Sequence, residues 1–337
     1  MKFIKRLGVF LLACTMLLST SPTVFATEYK AGNNDALKVL IENGYSENFV
    51  NSLPKTERDK ITNAIMANPQ DVQIVTVVMQ VDNLAEIEAF CAFTDAELIE
   101  MGADEAAVKA VRKDIERLFS MSDSEVAQEL GISKIEAQMI QRAIKSGKES
   151  SGSDAPYERK RGVSASGTIT QSEMTYYQTV INNSTSTGPN YDVILFYNWA
   201  APYYIDIFQD ALAVAWGGGL TPKNISGNAS YYQRGTYDFT TYHTSYTFSP
   251  DIVPQTGVKF YMPQSIGLGK NKMGQAGFGL YQTRWQGYDT NIVSRFAHKV
   301  ISFGGAEISI SSSGPSVGLV IGTAYDQTPQ ASSIISY

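Results

Sequence analysis

Histidine and cysteine are scarce: the 337 residues hold two of each. His243 and His298 stand in no metal-ligand spacing with each other or with Cys91, which excludes the usual zinc patterns. Cys14 falls in the N-terminal leader described below. That leaves Cys91 alone and excludes an internal disulfide, so stability has to come from packed cores. With Phe90, Ala92 and Phe93 around it, Cys91 reads as a buried structural thiol. No G-x-S-x-G elbow occurs. Gly217-Gly218-Gly219 leads into Thr221, Pro222 and Asn224 rather than a helix, and Gly267-Leu268-Gly269-Lys270 lacks the P-loop spacing. Both read as turns, not phosphate cradles. Beyond the leader, no apolar run approaches the ~20 residues that a membrane-spanning helix needs.

The leader itself is legible. Lys2, Lys5 and Arg6 precede an apolar run over residues 7–18, and Val24-Phe25-Ala26 supplies a small residue before a cut. This order describes a secretory signal peptide over residues 1–26 with processing after Ala26. Leu11-Leu12-Ala13-Cys14 offers a competing lipoprotein-like box, but the apolar run continues past Cys14. The expected mature chain is secreted.

Charge divides what remains. Residues 27–150 carry 22 acidic and 13 basic side chains, whereas residues 151–337 carry 11 of each. Neither part has the basic stripe that a phosphate backbone requires, so nucleic acid is not an expected partner. Residues 27–146 show helix punctuation: Asn68-Pro69, and Thr94, Ser122 and Ser133 each followed three positions on by glutamate, the spacing of a capping box. Val108, Val111, Ile115 and Leu118 recur at helical spacing. Ile74, Val78, Val81, Leu84 and Cys91 extend such a pattern through the β-branched stretch at 72–81, which favours one long helix there.

A weak repeat runs through this part. Leu40-Ile41-Glu42-Asn43-Gly44-Tyr45-Ser46-Glu47 parallels Leu98-Ile99-Glu100-Met101-Gly102-Ala103-Asp104-Glu105, and residues 127–133 (AQELGIS) form a looser third copy. Each reads as a helix end, a glycine for a left-handed cap and a new N-cap two residues on, hence helical hairpins stacked two or three times. The third copy, from Val126 to Ser133 with Ile140 beyond, resembles the DNA-binding helix-turn-helix of bacterial transcription factors and sigma factors over about twenty residues. The resemblance implies a recognition helix following Ser133, yet that helix carries Glu136 and few cations. Residues 147–162 are polar and Gly/Ser-rich, the expected flexible linker. Arg159-Lys160-Arg161 within it marks a candidate processing site at Arg161.

From residue 163 the pattern changes to short apolar runs between Gly, Pro and Asn signals. It predicts an all-β antiparallel sandwich over 163–337, and so an α+β multidomain chain with an N-terminal all-α helical-hairpin repeat module. All three tryptophans fall in this part. Doublets such as Tyr176-Tyr177, Tyr203-Tyr204 and Tyr231-Tyr232 place one member on each face of a strand, so one of each pair faces solvent or a second packed layer. The expected function is non-catalytic recognition of a glycan or cell-surface component. Trp199, Tyr203, Tyr204, Tyr231, Tyr232 and Trp285 are the candidate ligand-binding residues.

Two alternatives come from other classes. The Ser/Thr-rich amphipathic stretch at 236–248 suits a membrane-inserting hairpin of a pore-forming protein activated by cleavage in the linker. Asp192, Asp206, Asp210, Asp238 and Asp289 offer carboxylates for a glycoside-directed hydrolase. No cofactor and no catalytic residue is expected for the leading reading. Asp206 and Asp210 are the candidates for holding Ca²⁺. The pattern specifies no oligomeric state.

Overall fold

The computed structural model describes residues 33–53, 55–151, 171–183, 190–199, 205–217, 220–232, 244–247, 250–253, 256–262, 271–282, 290–302, 308–313, 316–321 and 325–335. The leader with Ala26, the basic triplet with Arg161, and Tyr203, Tyr204 and Trp285 lie outside them. Helices α1 (Asn33–Glu42), α2 (Glu47–Ser52) and α3 (Lys55–Ala67) come first, then strand β1 (Val72–Asp82). A bundle follows: α4 (Asn83–Ala92), α5 (Asp95–Glu100), α6 (Glu105–Ser120), α7 (Asp123–Leu130) and α8 (Lys134–Ser150). The remaining strands are β2 (Gln171–Asn182), β3 (Asn190–Trp199), β4 (Asp210–Trp216), β5 (Leu220–Tyr232), β6 (Thr244–Thr247), β7 (Pro250–Val253), β8 (Gly257–Met262), β9 (Asn271–Gln282), β10 (Thr290–Lys299), β11 (Ile308–Ser313), β12 (Ser316–Ile321), β13 (Tyr325–Gln327) and β14 (Ala331–Ile335). Among the described residues no helix is long and apolar enough to cross a membrane.

Strand β1 corrects the all-α expectation for residues 27–146. Seven of its eleven residues, VQIVTVVMQVD, are β-branched and suit a pleated surface. The helical spacing of Ile74, Val78 and Val81 is incidental. The helix begins only at Asn83, where the Asp82 Oδ1 accepts from the amides of Leu84 and Ala85 at 3.1 Å each. Strand β1 pairs antiparallel with β2 along its whole length, from Val72 opposite Ile181 to Asp82 opposite Gln171. The α4–α8 bundle is therefore inserted between two paired strands. Helix α8 continues to Ser150, so residues 147–150 of the expected linker are helical. A Cβ on Gly147 would lie 2.3 Å from the Glu88 carbonyl oxygen and 2.5 Å from the Cys91 Cβ, so glycine is what lets α8 cross α4 so closely.

All strand pairs are antiparallel among the described residues. The first sheet runs β1-β2-β3-β9-β5-β6. The second runs β13-β10-β4-β8-β7, with β14 also on β10, and β11-β12 form a separate hairpin. The two larger sheets share one core: Val77, Met79, Val81, Tyr176, Val193, Leu195, Tyr197, Trp199 and Phe278 from the first meet Leu212, Val214, Trp216, Phe260 and Phe296 from the second. A buried polar bridge crosses this core. The Tyr176 hydroxyl donates to Ser294 Oγ at 2.6 Å, Ser294 Oγ donates to Gln178 Oε1 at 2.5 Å, and Gln178 Nε2 donates to Ser333 Oγ at 2.8 Å.

Strand β5 forms although Pro222 and Gly227, residues that ordinarily punctuate strands, lie within it. Pro222 lies where β6 has not yet joined, since β6 pairs only with Asn228 to Tyr231, and a bulge between Lys223 and Ser226 follows. The three glycine corners do form as the repeat implied. Gly44, Gly102 and Gly131 take φ of 101°, 88° and 59°. The amides of Tyr45, Ala103 and Ile132 reach back to the carbonyls of Leu40, Leu98 and Ala127. Ser46, Asp104 and Ser133 cap the next helices, and the three predicted capping boxes are complete. The copies do not make one stack, however. The first corner packs on the first sheet, while the other two belong to the bundle beyond β1.

Candidate functional site

Outer faces distinguish the elements from here on. On β2 and β3, Tyr177, Ile181, Ile194 and Phe196 face away from the shared core and are covered by Leu40, Tyr45, Phe49, Val50, Leu53, Ile61 and Ile65 of the α1–α3 region. Phe49 stacks on Tyr177 with ring centroids 4.3 Å apart, and the Tyr45 hydroxyl bonds Thr179 Oγ1. The doublet Tyr176-Tyr177 is thus divided between two cores. Across the molecule, the β11-β12 hairpin lays Ile308 and Leu319 over Ala211, Ala213, Ala215 and Ala297 of the second sheet.

Trp199 is not on a binding face, which corrects the expectation for it. It occupies an inward position of β3, is 0% exposed, and meets Phe296 and His298 edge-on at 6.3 and 5.5 Å. Trp216 is equally enclosed, so these tryptophans are core and not platform. Tyr231 and Tyr232 end β5 opposite Lys272 and Asn271. Register puts Tyr232 in phase with Asn228 and Ser230, and Tyr231 in the alternate phase.

The outer face of the β9-β5-β6 half of the first sheet has a composition of its own. Opposite in phase to the core residues Ala276, Phe278 and Leu280, strand pairing sets Thr221 against Tyr281, Lys223 against Gly279, Ser226 against Gly277, Asn228 against Gln275 and Thr247, Ser230 against Met273 and Ser245, and Tyr232 against Asn271. Residues with hydroxyl or amide groups and glycines predominate at these register positions, with Met273 the apolar exception and Lys223 the one charged residue among them. Of the predicted set, only Tyr232 falls on this face among the described residues. The rest of the face was missed because its signal is register, which brings β5, β6 and β9 side by side only in three dimensions.

A second constellation lies at the sandwiched end from which the bundle is inserted. His298, at the end of β10, points its Nδ1 at Asp210 Oδ1 at 2.7 Å, and the two are 1% and 0% exposed. Glu86 of α4 is also buried and accepts from the Ile301 amide at 3.5 Å. Burial alone pushes the imidazole down. The charge and hydrogen bond of Asp210, with Glu86 and Asp326 behind it, outweigh burial and hold it above its ordinary value. Of the two candidate Ca²⁺ ligands, Asp210 turns its Oδ1 to the His298 imidazole and Asp206 is buried just before β4. Among the described residues no group of three or more potential ligands is placed to hold a metal. Asp192 is half-buried and pairs with Lys60 Nζ at 3.0 Å, while Asp238 and Asp289 lie outside the described residues.

The bundle's seat is otherwise apolar and hydrogen-bonded. Ile205, Ile207, Phe208 and Ile301 join the bundle's cluster, the Asp104 amide donates to the Ile207 carbonyl at 2.9 Å, and Lys299 Nζ donates to the Met101 carbonyl at 2.6 Å while lying 4.6 Å from the centre of the Phe208 ring.

These features define a mixed helical and antiparallel-β protein with a buried Asp210–His298 pair where the helical bundle meets the second sheet. No family model matches the chain, and neither does any curated protein. Among solved structures it is similar to the collagen-binding domain of a Staphylococcus aureus adhesin, at 11% identity over 32% of this chain and 75% of that one, with a TM-score of 0.22. A collagen adhesin of S. aureus matches at 8% identity over 50% and 68%, with a TM-score of 0.23. The collagen-binding domain of Erysipelothrix rhusiopathiae surface protein RspB matches at 7% identity over 49% and 65%, with a TM-score of 0.24. Superpositions this partial assign neither family nor ligand to this chain.

Proposed function

We propose that the chain is an exported, non-catalytic recognition protein, built on an antiparallel sandwich, that contacts a cell-surface component through the outer face of β9-β5-β6. The observation that carries this reading is the makeup of that face. The positions out of phase with the core on these strands carry mostly Ser, Thr, Asn, Gln and Gly, with Lys223 and Met273 among them and Tyr232 and Tyr281 at the ends, a set that would supply hydrogen bonds and ring faces with few charges. A glycan is the chemistry this array fits best. Export rests on the leader residues up to Ala26.

The test is co-sedimentation of the full mature chain with insoluble polysaccharide, bacterial cell wall and lipid vesicles side by side. Binding to polysaccharide or wall, lost on Tyr232→Ala or Tyr281→Ala, supports the reading. Wall binding that survives both substitutions sinks the assignment of the face. Binding to vesicles alone moves the membrane-active alternative forward, with residues 236–248 as its inserting segment; only Thr244–Thr247 of that segment is described, as β6.

A further inference from the structure

Strand edges are treated unequally in this molecule. An edge strand presents unpaired amides and carbonyls to any extended chain that meets it, and folded proteins usually blunt such edges. Among the described strands, the outer members of the two larger sheets are β1 and β6 in the first, and β7, β13 and β14 in the second. Strands β6, β7 and β13 are four, four and three residues long, and β7 opens on Pro250. Strand β14 is occupied at Ile334, whose carbonyl accepts from Gln73 Nε2 at 2.5 Å and whose amide donates to Gln73 Oε1 at 3.0 Å.

Strand β1 is the exception. It is eleven residues long, pairs with β2 from end to end, and carries neither proline nor any charge before Asp82. Strand β14 is tied to it at Gln73, and from Ile74 to Asp82 its other edge has no strand partner among the described residues. Along that edge Ile74, Val75, Thr76 and Val78 are half-buried and Gln80 is exposed.

We infer that this edge pairs with the same edge of a second copy of the chain, β1 against β1, antiparallel about a two-fold axis at Val78. That register sets Ile74 opposite Asp82, Val75 opposite Val81, Thr76 opposite Gln80 and Val77 opposite Met79. Each residue meets one of its own phase. Val75, Val77, Met79 and Val81, which belong to or pack on the shared core, then carry an apolar row across the axis, while Thr76 and Gln80 meet on the other face. The pairing stops short of Gln73 and leaves the β14 tie intact. The edge has no charge or proline with which to select a different strand, and its own β1 supplies a partner of matching length and phase. A two-fold pairing also uses the edge up, so the assembly closes at two copies. It joins two six-stranded sheets into one, with the β9-β5-β6 half of each copy at opposite ends.

The experiment is sedimentation velocity on the full mature chain across a concentration series. The expected result is a monomer–dimer equilibrium. Val78→Lys or Val78→Glu sets like charges face to face on the axis and raises the dissociation constant about tenfold or more. An equimolar mixture of the two variants restores the dimer, because opposite charges then meet. A chain that stays monomeric at every concentration overturns the pairing and leaves the edge to a strand of another protein. A dimer that survives both substitutions overturns it too, as does a mixture no more associated than either variant alone. Should the charged variants not fold, Val78→Cys decides. Residues opposed on antiparallel strands stand within disulfide reach, so mild oxidation links two copies through this position if the register is correct. An unlinked chain overturns it.

Discussion

The two halves of the first sheet share one inner core and part company on the outside. On β1-β2-β3 the outward positions are Ile74, Tyr177, Ile181, Ile194 and Phe196, and three helices lie across them. On β9-β5-β6 the positions of the same phase include Ser226, Asn228, Ser230, Met273, Gln275, Gly277 and Gly279. Pairing is antiparallel in both, with one bulge in β5 between Lys223 and Ser226, so the backbone alone does not choose between burial and display. The side chains of every second residue do. An apolar outward row costs free energy until something covers it, whereas a row of hydroxyls and amides is already satisfied by water.

The largest test of this contrast is to strip the covered half. Residues 163–337 expressed alone lack β1 and α1–α3, which exposes Tyr177 and Phe196. The fragment is expected to be insoluble or to bind a dye for apolar surface, whereas full-length protein cut at Arg161 elutes as one particle until denaturant is added. Pieces that separate on a sizing column in native buffer would show that the cores do not span the cut. This bears on activation by cleavage, because a nick leaves β1 paired to β2.

Next in size, Phe49→Ala empties a fully buried site and is expected to cost about 3–5 kcal/mol. Tyr232→Ala on the other half should stay within about 0.5 kcal/mol. Urea unfolding of both variants measures the difference, and equal losses would erase the proposed division between covered and displayed faces. A smaller effect is expected at the α4–α8 crossing, where Gly147→Ala forces the helices apart at roughly 1–3 kcal/mol. Cys91 reports it: burial pushes its thiol up to about 11 against the opposing pull of Arg112 and Lys148, so alkylation near pH 8 is slow in the native chain and quickens in the variant. Smallest, Ser133→Ala removes one complete capping box at ~1 kcal/mol, seen as a modest drop in melting temperature.

Much of this was legible in the amino-acid order, and the failures have identifiable causes. Caps and glycine corners were read correctly because they depend on neighbours within a few positions: Thr94 with Glu97, Ser122 with Glu125, Gly102 before Asp104. Strand β1 was misread because Ile74, Val78 and Val81 satisfy two periods at once, and only its partner β2 resolves them. Trp199 was placed outside because a strand buried on both faces, such as β3, shows continuous apolarity instead of alternation. The Asp210–His298 pair left no sequence signal, since 88 positions separate residues that strand pairing makes neighbours.

The insertion of the bundle also sets a timetable. Gln171 follows its partner Asp82 by 89 positions. At ~5–20 residues per second of synthesis, the uncharged run VQIVTVVMQV waits roughly 4–18 s before β2 exists to receive it. During that interval it is a β-prone segment without proline or charge, of the kind that pairs with other chains. Production of this protein should therefore depend on whatever holds nascent chains apart, and slowing translation between residues 83 and 170 should lower its yield more than slowing it after residue 182.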